Sequence, residues 1–258
     1  QDSILICPPT YGMYAISAEN HGAETVKVPL INNELNLEKI GQQVGKVKVV
    51  FICSPGNPTG NLIPKKQIEA VLNMFAENAI VVVDEAYIEF SPESSAVSLL
   101  PKYQNLVVLR TLSKAFALAG LRCGFTLASD EIIEMMSKVI APYPISAPVA
   151  EIASQALSKG GLAHMSNRVT EVNLLASSLS EWLAAQVWCD EVFSTNANFV
   201  LFRTKHKDTI FSALAQQGIL IRDQSKQQQL ANCLRISIGS EKELSMLKQT
   251  INTALNVQ

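Results

Sequence analysis

Six short apolar segments in the first half of the chain constrain its fold more than any other feature. They have the length of β-strands, and several contain no polar alternation, which is typical of strands buried on both faces of a sheet. The segments are residues 4–7, 25–28, 47–53, 80–83, 106–109 and 123–127. Helical patterns separate some of them, one beginning near Pro64 and another near Ser129. Repeated strand–helix–strand units predict an α/β fold with a mostly parallel, doubly wound sheet, whose ligands bind beyond the carboxyl ends of the strands.

The second half of the chain has a different pattern. Residues 147–185 have the periodicity of a long connecting helix that is interrupted at Gly160 and Gly161. A helix over residues 207–217 and a final helix that begins with a capping box at Ser240 lie among further strand-like segments. These segments are residues 199–202, 219–221 and 234–238. We therefore predict three parts: a large domain over residues 1–146, a connecting helix over 147–185 and a smaller C-terminal α+β domain over 186–258.

The composition excludes several classes of protein. The formal net charge is −2, and 48% of the residues are hydrophobic while 17% are charged. These values describe a soluble globular protein rather than a nucleic-acid binder or a disordered chain. No segment approaches the roughly 18 apolar residues of a membrane-spanning helix. The five cysteines form no C-x-x-C pair and the three histidines form no catalytic pair, so we expect free thiols in a reducing compartment, the cytoplasm, and no metal.

A loop rich in proline and glycine follows the third apolar segment. Its sequence is Ser-Pro-Gly-Asn-Pro-Thr-Gly over residues 54–60. Taken alone, this composition favours an ordinary strand-ending loop. The functional interpretation is that the two prolines stiffen the loop, so that the Asn57 amide projects over the strand ends with its donor in a fixed place.

A carboxylate ends the fourth apolar segment. Asp84 follows three consecutive valines and begins the sequence Asp-Glu-Ala-Tyr. A charge in such a place is costly unless it has a cationic partner or several hydrogen bonds. One alternative is that Asp84 caps a helix. The other is that a short turn points Asp84 and Tyr87 into the same crevice.

A lysine follows small hydroxyl residues at the end of the fifth segment. Lys114 comes after Thr111 and Ser113, and no other charge occurs before Arg122. A partly desolvated lysine has a lowered pKa and offers a free amine for a Schiff base. The alternative is a surface lysine, which would leave the hydroxyl groups and Arg122 unexplained. Two hydroxyl groups and a guanidinium together suit a phosphate dianion.

These groups together match the requirements of pyridoxal phosphate, which needs a Schiff-base lysine and an acid for its ring nitrogen. The motifs S-P-G-N-P-T-G, D-E-A-Y and T-L-S-K-A-F-A-L-A-G-L-R-C-G, with P-P-T-Y-G-M-Y over residues 8–14, resemble those of fold type I aminotransferases. Within that superfamily the chain most resembles the histidinol-phosphate aminotransferases. The resemblance implies a transamination in histidine biosynthesis between histidinol phosphate and 2-oxoglutarate, by a homodimer whose large domain binds pyridoxal phosphate.

The resemblance also implies a role for each candidate residue. Lys114 would bind the cofactor covalently and then move a proton, and Asp84 would pair with the ring nitrogen. The other cofactor contacts would be Asn57 and Tyr87 at the ring oxygen, Tyr11 stacked on the ring, and Thr111, Ser113 and Arg122 at the phosphate. Arg235 lies in an apolar segment and matches the arginine that grips a substrate carboxylate in this superfamily. Here Arg235, with Arg222, would hold the substrate phosphate.

Two alternatives and two departures accompany the resemblance. Threonine-phosphate decarboxylases share the cofactor site and also take a phosphorylated amine, and a non-catalytic fragment would keep the fold without the chemistry. Gly56 stands where many relatives have asparagine. Residues 1–10 lack the glycine-containing helix start that binds the cofactor phosphate in the family. On that basis we expect a member without its N-terminal portion, with weak cofactor binding, slow or no turnover, and a tendency to associate.

Overall fold

The computed structural model describes residues 2–256, in which two β-sheets are joined by helices. Six strands form the larger sheet. They are β1 (Ser3–Ile6), β2 (Glu24–Lys27), β3 (Val49–Cys53), β4 (Ile80–Asp84), β5 (Leu106–Thr111) and β6 (Gly124–Leu127). Their order is β2-β1-β3-β4-β5-β6, and only β6 runs antiparallel to its neighbour. The predicted mostly parallel α/β sheet is confirmed, and each of the six predicted strands is present within three residues of its predicted ends.

Eight α-helices cover the sheets and connect them. They are α1 (Met13–Asn20), α2 (Leu37–Gly41), α3 (Lys65–Met74), α4 (Asp130–Ser137), α5 (Ala147–Ala156), α6 (Lys159–Ala184), α7 (Lys207–Gln216) and α8 (Glu241–Leu255). The first two were not predicted, because neither has a strong apolar periodicity. Helix α8 begins with the predicted capping box, in which Ser240 accepts from the Glu243 backbone and Glu243 accepts from the Ser240 backbone.

The connecting segment is two helices rather than one interrupted helix. Helix α5 ends at Ala156 and α6 begins after Ser158, whose hydroxyl accepts a hydrogen bond from the Gly161 backbone at 3.2 Å. A Cβ at Gly161 would lie within 2.6 Å of the Gln155 and Ala156 carbonyl oxygens. Glycine therefore permits the close approach of the two helices at the point where the sequence predicted an interruption.

Four antiparallel strands form the smaller sheet. They are β7 (Glu191–Val192), β8 (Phe199–Arg203), β9 (Arg222–Asp223) and β10 (Cys233–Ser237), in the order β7-β8-β10-β9. The strand predicted over residues 219–221 was wrong in position, because the chain pairs with β10 one residue later, at Arg222 and Asp223. Strand β7 was not predicted, since two residues carry no detectable pattern.

Each sheet has its own hydrophobic core. The larger core lies around Val50, Ile52 and Val83, and the smaller around Phe202, Leu214 and Ile251. Full burial of one such side chain contributes about 1.5–3 kcal/mol, so these clusters fix the position of the strands that reach the crevice. The division into a large and a small domain at residues 146 and 185 stays a prediction.

A polar contact holds the smaller sheet against the loop that follows β3. The Asn196 backbone and side-chain amides both donate to the Gly60 carbonyl, at 2.9 and 3.1 Å. Ser91 donates to the Asn196 side-chain oxygen at 3.1 Å. The two sheets therefore meet near the carboxyl ends of the parallel strands. Within residues 2–256, no helix has the length and apolar character needed to cross a membrane.

Candidate active site

A cavity of about 320 Å³ lies beyond the carboxyl ends of three adjacent parallel strands. The strand register places Cys53 of β3 beside Asp84 of β4, and Asp84 beside Leu109 of β5. Eight of the predicted site residues line the cavity, and they come from four separate stretches of sequence. They are Tyr11, Asn57, Asp84, Tyr87, Thr111, Ser113, Lys114 and Arg122.

Asp84 is held by two donors that contact different carboxylate oxygens. The Tyr14 hydroxyl donates to Oδ2 at 2.6 Å, and the Ala86 backbone donates to Oδ1 at 3.0 Å. Burial raises the pKa of Asp84, while these hydrogen bonds and the Lys114 charge act in the opposite direction. Asp84 is the last residue of β4 and is followed by a turn, so it caps no α-helix.

Lys114 lies within the cavity and is not a surface lysine. Its ammonium is 5.2 Å from the centre of the Tyr87 ring and the side chain is partly buried. Desolvation lowers the pKa of Lys114 below that of an ordinary lysine, and the positive charges of Arg235 and Arg122 lower it further. The Asp84 carboxylate opposes that effect but does not reverse it. The amine therefore loses its proton more easily than a solvent-exposed lysine.

Asn57 and Tyr87 form one wall of the cavity. The Asn57 side-chain oxygen accepts a hydrogen bond from the Arg235 guanidinium at 2.7 Å. A guanidinium can only donate, so this contact leaves the Asn57 NH₂ group as a donor for another acceptor. Tyr87 is 4% exposed and packs edge-on against Phe199 at 5.2 Å. Burial raises the pKa of Tyr87 to about 12, so its hydroxyl keeps its proton at neutral pH and can donate.

Three donors form the opposite end of the cavity. Thr111 donates to the Ser113 hydroxyl at 2.9 Å, and the Ser113 backbone donates to the Thr111 hydroxyl at 3.1 Å. The exposed Arg122 has a left-handed backbone conformation, with φ of 55°, and donates to the Ala119 carbonyl at 2.8 Å. A non-glycine residue adopts that conformation uncommonly.

Two predicted arginines lie on the smaller sheet and are not among the residues that line the cavity, although Arg235 contacts Asn57 on its wall. Arg235 of β10 and Arg222 of β9 are directly opposite each other across an antiparallel pair, so their side chains leave the same face of the sheet. The Arg235 guanidinium is 4.7 Å from the Phe199 ring, and its buried Nε has no hydrogen-bond partner in the described part of the chain. Burial lowers the pKa of Arg235, and the charge of Arg222 adds to that effect.

Tyr11 is the most loosely held of the predicted residues. Its side chain is 43% exposed and contacts Tyr14 edge-on, with ring centres 5.6 Å apart. Its ring therefore lies at the mouth of the cavity, where it can pack against a ligand.

Three residues that sequence reasoning did not single out also shape the site. Tyr14 supports Asp84, Cys53 lines the cavity, and Phe199 lies beneath Tyr87 and Arg235. Burial raises the pKa of Cys53 to about 12, so its thiol is neutral. The one available signal was the sequence spacing of Tyr11 and Tyr14, which lie just before and within the first turn of α1.

The loop after β3 is closely packed around Gly56. A Cβ there would lie 2.5 Å from the Asn61 side-chain oxygen and 2.6 Å from the Thr59 hydroxyl. The Gly56 backbone also donates to the Asn61 carbonyl at 2.7 Å. In this chain the glycine is thus part of the packing that holds Asn57 beside Arg235.

Comparisons with known proteins identify the family of this chain. The family model described as aminotransferase class I and II matches residues 1–251. The chain belongs to this family. It is 59% identical over 266 aligned residues to the histidinol-phosphate aminotransferase of Colwellia psychrerythraea, covering 98% of this chain and 72% of the relative. The histidinol-phosphate aminotransferase of Yersinia pseudotuberculosis is 53% identical. That alignment covers 94% of this chain and 64% of the relative.

Solved structures of this family have the same fold. Histidinol-phosphate aminotransferase from Clostridium acetobutylicum superposes with a TM-score of 0.88 at 30% identity, over 99% of this chain and 79% of that one. The Sinorhizobium meliloti enzyme, solved in complex with pyridoxal 5′-phosphate, has a TM-score of 0.88 at 23% identity, over 99% of this chain and 71% of that one. Threonine-phosphate decarboxylase from Porphyromonas gingivalis also shares the fold, with a TM-score of 0.82 at 20% identity, over 99% of this chain and 77% of that one. The last two similarities show the fold alone.

Proposed function

We propose that this chain carries the cofactor and substrate site of a pyridoxal phosphate-dependent aminotransferase that acts on histidinol phosphate and 2-oxoglutarate in histidine biosynthesis. The observation that carries the proposal is the presence of Lys114 and Asp84 in one cavity, with a hydroxyl and arginine cluster at the end of that cavity. The similarity to enzymes named histidinol-phosphate aminotransferase supports the choice of histidinol phosphate as the substrate.

The groups around the cavity fit pyridoxal phosphate. The cofactor presents a ring nitrogen, a ring oxygen, an aldehyde and a phosphate, and each has a counterpart of suitable chemistry. Asp84 retains lone pairs for the ring nitrogen, since each of its oxygens accepts only one hydrogen bond from the described residues. The free NH₂ of Asn57 and the protonated Tyr87 suit the ring oxygen. Thr111, Ser113 and Arg122 suit the phosphate.

When bound, pyridoxal phosphate withdraws electrons from the carbon that carries the amino group of the substrate. Asp84 would remain an anion next to the ring nitrogen and so favour the protonated ring. Lys114 would bind the cofactor covalently through its amine and afterwards take and return a proton at the substrate carbon. Its lowered pKa suits both roles, because an amine acts as a nucleophile or a base only when it is neutral.

Arg235 and Arg222 would bind the substrate phosphate. A dianion between two guanidinium groups receives charge-assisted hydrogen bonds from both. The buried Nε of Arg235 has no acceptor among the described residues, and a substrate oxygen would satisfy it. The charge of Arg222 then favours a doubly charged phosphate over a single carboxylate.

The test is a substrate assay with two readouts. Purified protein with pyridoxal phosphate should form glutamate from 2-oxoglutarate only when histidinol phosphate is present. Arg222→Ala should raise the Michaelis constant for histidinol phosphate more than that for glutamate. Release of carbon dioxide from threonine phosphate, without transamination, would contradict this proposal and indicate a threonine-phosphate decarboxylase. An equal effect of Arg222→Ala on both substrates would remove Arg222 from phosphate recognition.

We also propose a cytoplasmic homodimer with the domain division at residues 146 and 185. All five cysteines, which lie within the described residues, are free thiols. Several apolar side chains near α4 and α5 are exposed, among them Val139 at 85% and Tyr143 at 94%. Exposed apolar surface favours association. Light scattering after gel filtration should show twice the mass of the chain, and Tyr143→Asp should weaken that association if this surface is the interface.

A further inference from the structure

Tyr14 is a buried residue in contact with Asp84, and the proposed function gives it no role. It lies in the first turn of α1, its side chain is 6% exposed, and it is absent from the lining of the cavity. Its ring stacks on Phe51 of β3, with centres 4.7 Å apart and an angle of 12° between the planes. This packing leaves the ring little freedom and directs the hydroxyl at Asp84 rather than at solvent.

The contact with Asp84 is short and charge-assisted. The two oxygens are 2.6 Å apart, within the range of an O–H donor on a carboxylate. The Ala86 backbone holds the other carboxylate oxygen at 3.0 Å. Two donors on two different oxygens fix both the position and the plane of the carboxylate, and Asp84 itself lines the cavity.

Other groups near Asp84 do not fix it in this way. The titratable neighbours are Cys53 on β3, Lys114 after β5, and Tyr87 in the turn after β4. Cys53 and Tyr87 keep their protons, and Lys114 acts on Asp84 through its charge rather than through a hydrogen bond. Among the described side chains, Tyr14 is the one that donates a hydrogen bond to the Asp84 carboxylate.

We propose that Tyr14 is a positioning residue that holds the Asp84 carboxylate ionised and turned towards the ring nitrogen of the cofactor. The inference rests on the proposed function, since it gives Asp84 the role described above. Tyr14 touches neither the cofactor nor the substrate in this scheme and acts only through Asp84. A tyrosine that merely packs α1 on the sheet would have the same ring contacts but no effect on the carboxylate.

The first test needs no cofactor. With ¹³C-labelled aspartate, the carboxyl signal of Asp84 is identified by its loss in Asp84→Asn and is titrated in the apo-protein. Loss of the hydroxyl in Tyr14→Phe should raise the pKa of Asp84 by about one unit, the size of one hydrogen bond to a charged group. Tyr103→Phe is the matched control, since Tyr103 is also buried and its hydroxyl contacts Glu69, away from the cavity. Equal titrations of Asp84 in wild type and Tyr14→Phe would overturn the inference.

A second variant covers the case in which Tyr14→Phe does not fold. 3,5-Difluorotyrosine at position 14 keeps the ring and has a more acidic hydroxyl, which donates a stronger hydrogen bond. It should therefore lower the pKa of Asp84, the opposite direction from Tyr14→Phe. An unchanged or raised pKa with this side chain would count against the hydrogen bond as the cause.

The final test adds pyridoxal phosphate. Tyr14→Phe should lower turnover at saturating cofactor up to about tenfold, but should change it far less when Asp84 is already asparagine, because the effect passes through Asp84. Equal losses in both backgrounds would show a structural role and overturn the inference. Failure of the proposed function gives a different result: borohydride would then attach no pyridoxyl group to Lys114 of the wild-type protein, whatever the titration of Asp84 shows.

Discussion

The two ends of the cavity are built differently. At the inner end, Asp84 already accepts hydrogen bonds from Tyr14 and Ala86 on its two oxygens. At the outer end, the donors are occupied with one another or with backbone: Thr111 contacts Ser113, and the exposed Arg122 contacts the Ala119 carbonyl. The inner end therefore fixes the Asp84 carboxyl group in place before any ligand binds. The outer end can exchange its present contacts for those of an anion. Fixed groups, as at the inner end, suit the stabilisation of charge during catalysis, and adaptable groups, as at the outer end, suit the binding of a ligand.

The positions of the two ends in the fold explain this difference. Asp84 ends a central strand, between β3 and β5, so its backbone is fixed by pairing on both sides. Arg122 lies outside the strands, in a segment whose backbone is left-handed at Ala117 and Arg122. A loop residue can adapt to a phosphate, whereas a strand residue cannot move without disturbing the sheet.

The largest effect should follow removal of the charge at the inner end. Asp84→Asn keeps the shape of the side chain but loses the anion, so turnover should fall roughly a hundredfold or more while the cofactor stays bound. Steady-state rates and cofactor titrations on the same preparation measure the two quantities. Asp130→Asn, at the start of α4, is a control outside the cavity. Near-normal turnover in Asp84→Asn would remove Asp84 from this role.

The outer end should show the reverse pattern. Arg122→Ala removes a cation whose side chain is exposed, so we expect an affinity for pyridoxal phosphate about tenfold lower, with nearly normal turnover once the cofactor is saturating. Inorganic phosphate should also compete less with the cofactor in this variant. Arg168→Ala, an exposed arginine of α6, should change neither quantity. A large loss of turnover at saturating cofactor would contradict a role for Arg122 in cofactor binding alone.

A smaller effect should link the smaller sheet to Lys114. Because the charge of Arg235 lowers the pKa of Lys114, Arg235→Gln should raise that pKa and move the reactivity of the amine to higher pH. Asp84→Asn should move it to lower pH, since the carboxylate raises the same pKa. Competitive labelling of lysines against pH, followed by peptide mapping, gives both midpoints. Arg203→Gln is the matched control, because Arg203 also lies over an aromatic ring of this sheet. A shift in the same direction for both cavity variants would contradict this electrostatic account.

The sequence was sufficient to predict that Asn57, Asp84 and Lys114 come together. Each follows a buried apolar segment, and the carboxyl ends of adjacent parallel strands meet at one edge of a sheet. Thr111 and Ser113 are close to Lys114 in sequence, so their place in the cavity follows from that of Lys114. The catalytic and binding roles of all these residues remain predictions that the variants above test.

Other features depend on packing that no local pattern encodes. The bond from Tyr14 to Asp84 requires α1 to pack beside β3 and β4, and α1 has no marked apolar stripe. The contact between Asn57 and Arg235 joins residues 178 positions apart on different sheets. The antiparallel direction of β6 is likewise invisible, because a short apolar run has the same composition in either direction.

The most direct test of the whole account is covalent labelling of the protein with its cofactor. Incubation with pyridoxal phosphate, reduction with borohydride and peptide mapping should place the pyridoxyl group on Lys114, and Lys114→Ala should abolish the label. Lys102, which is exposed and paired with Glu69, should remain unlabelled in the same digest. A label on another lysine, or no label at any cofactor concentration, would contradict the assignment of the cavity as the cofactor site.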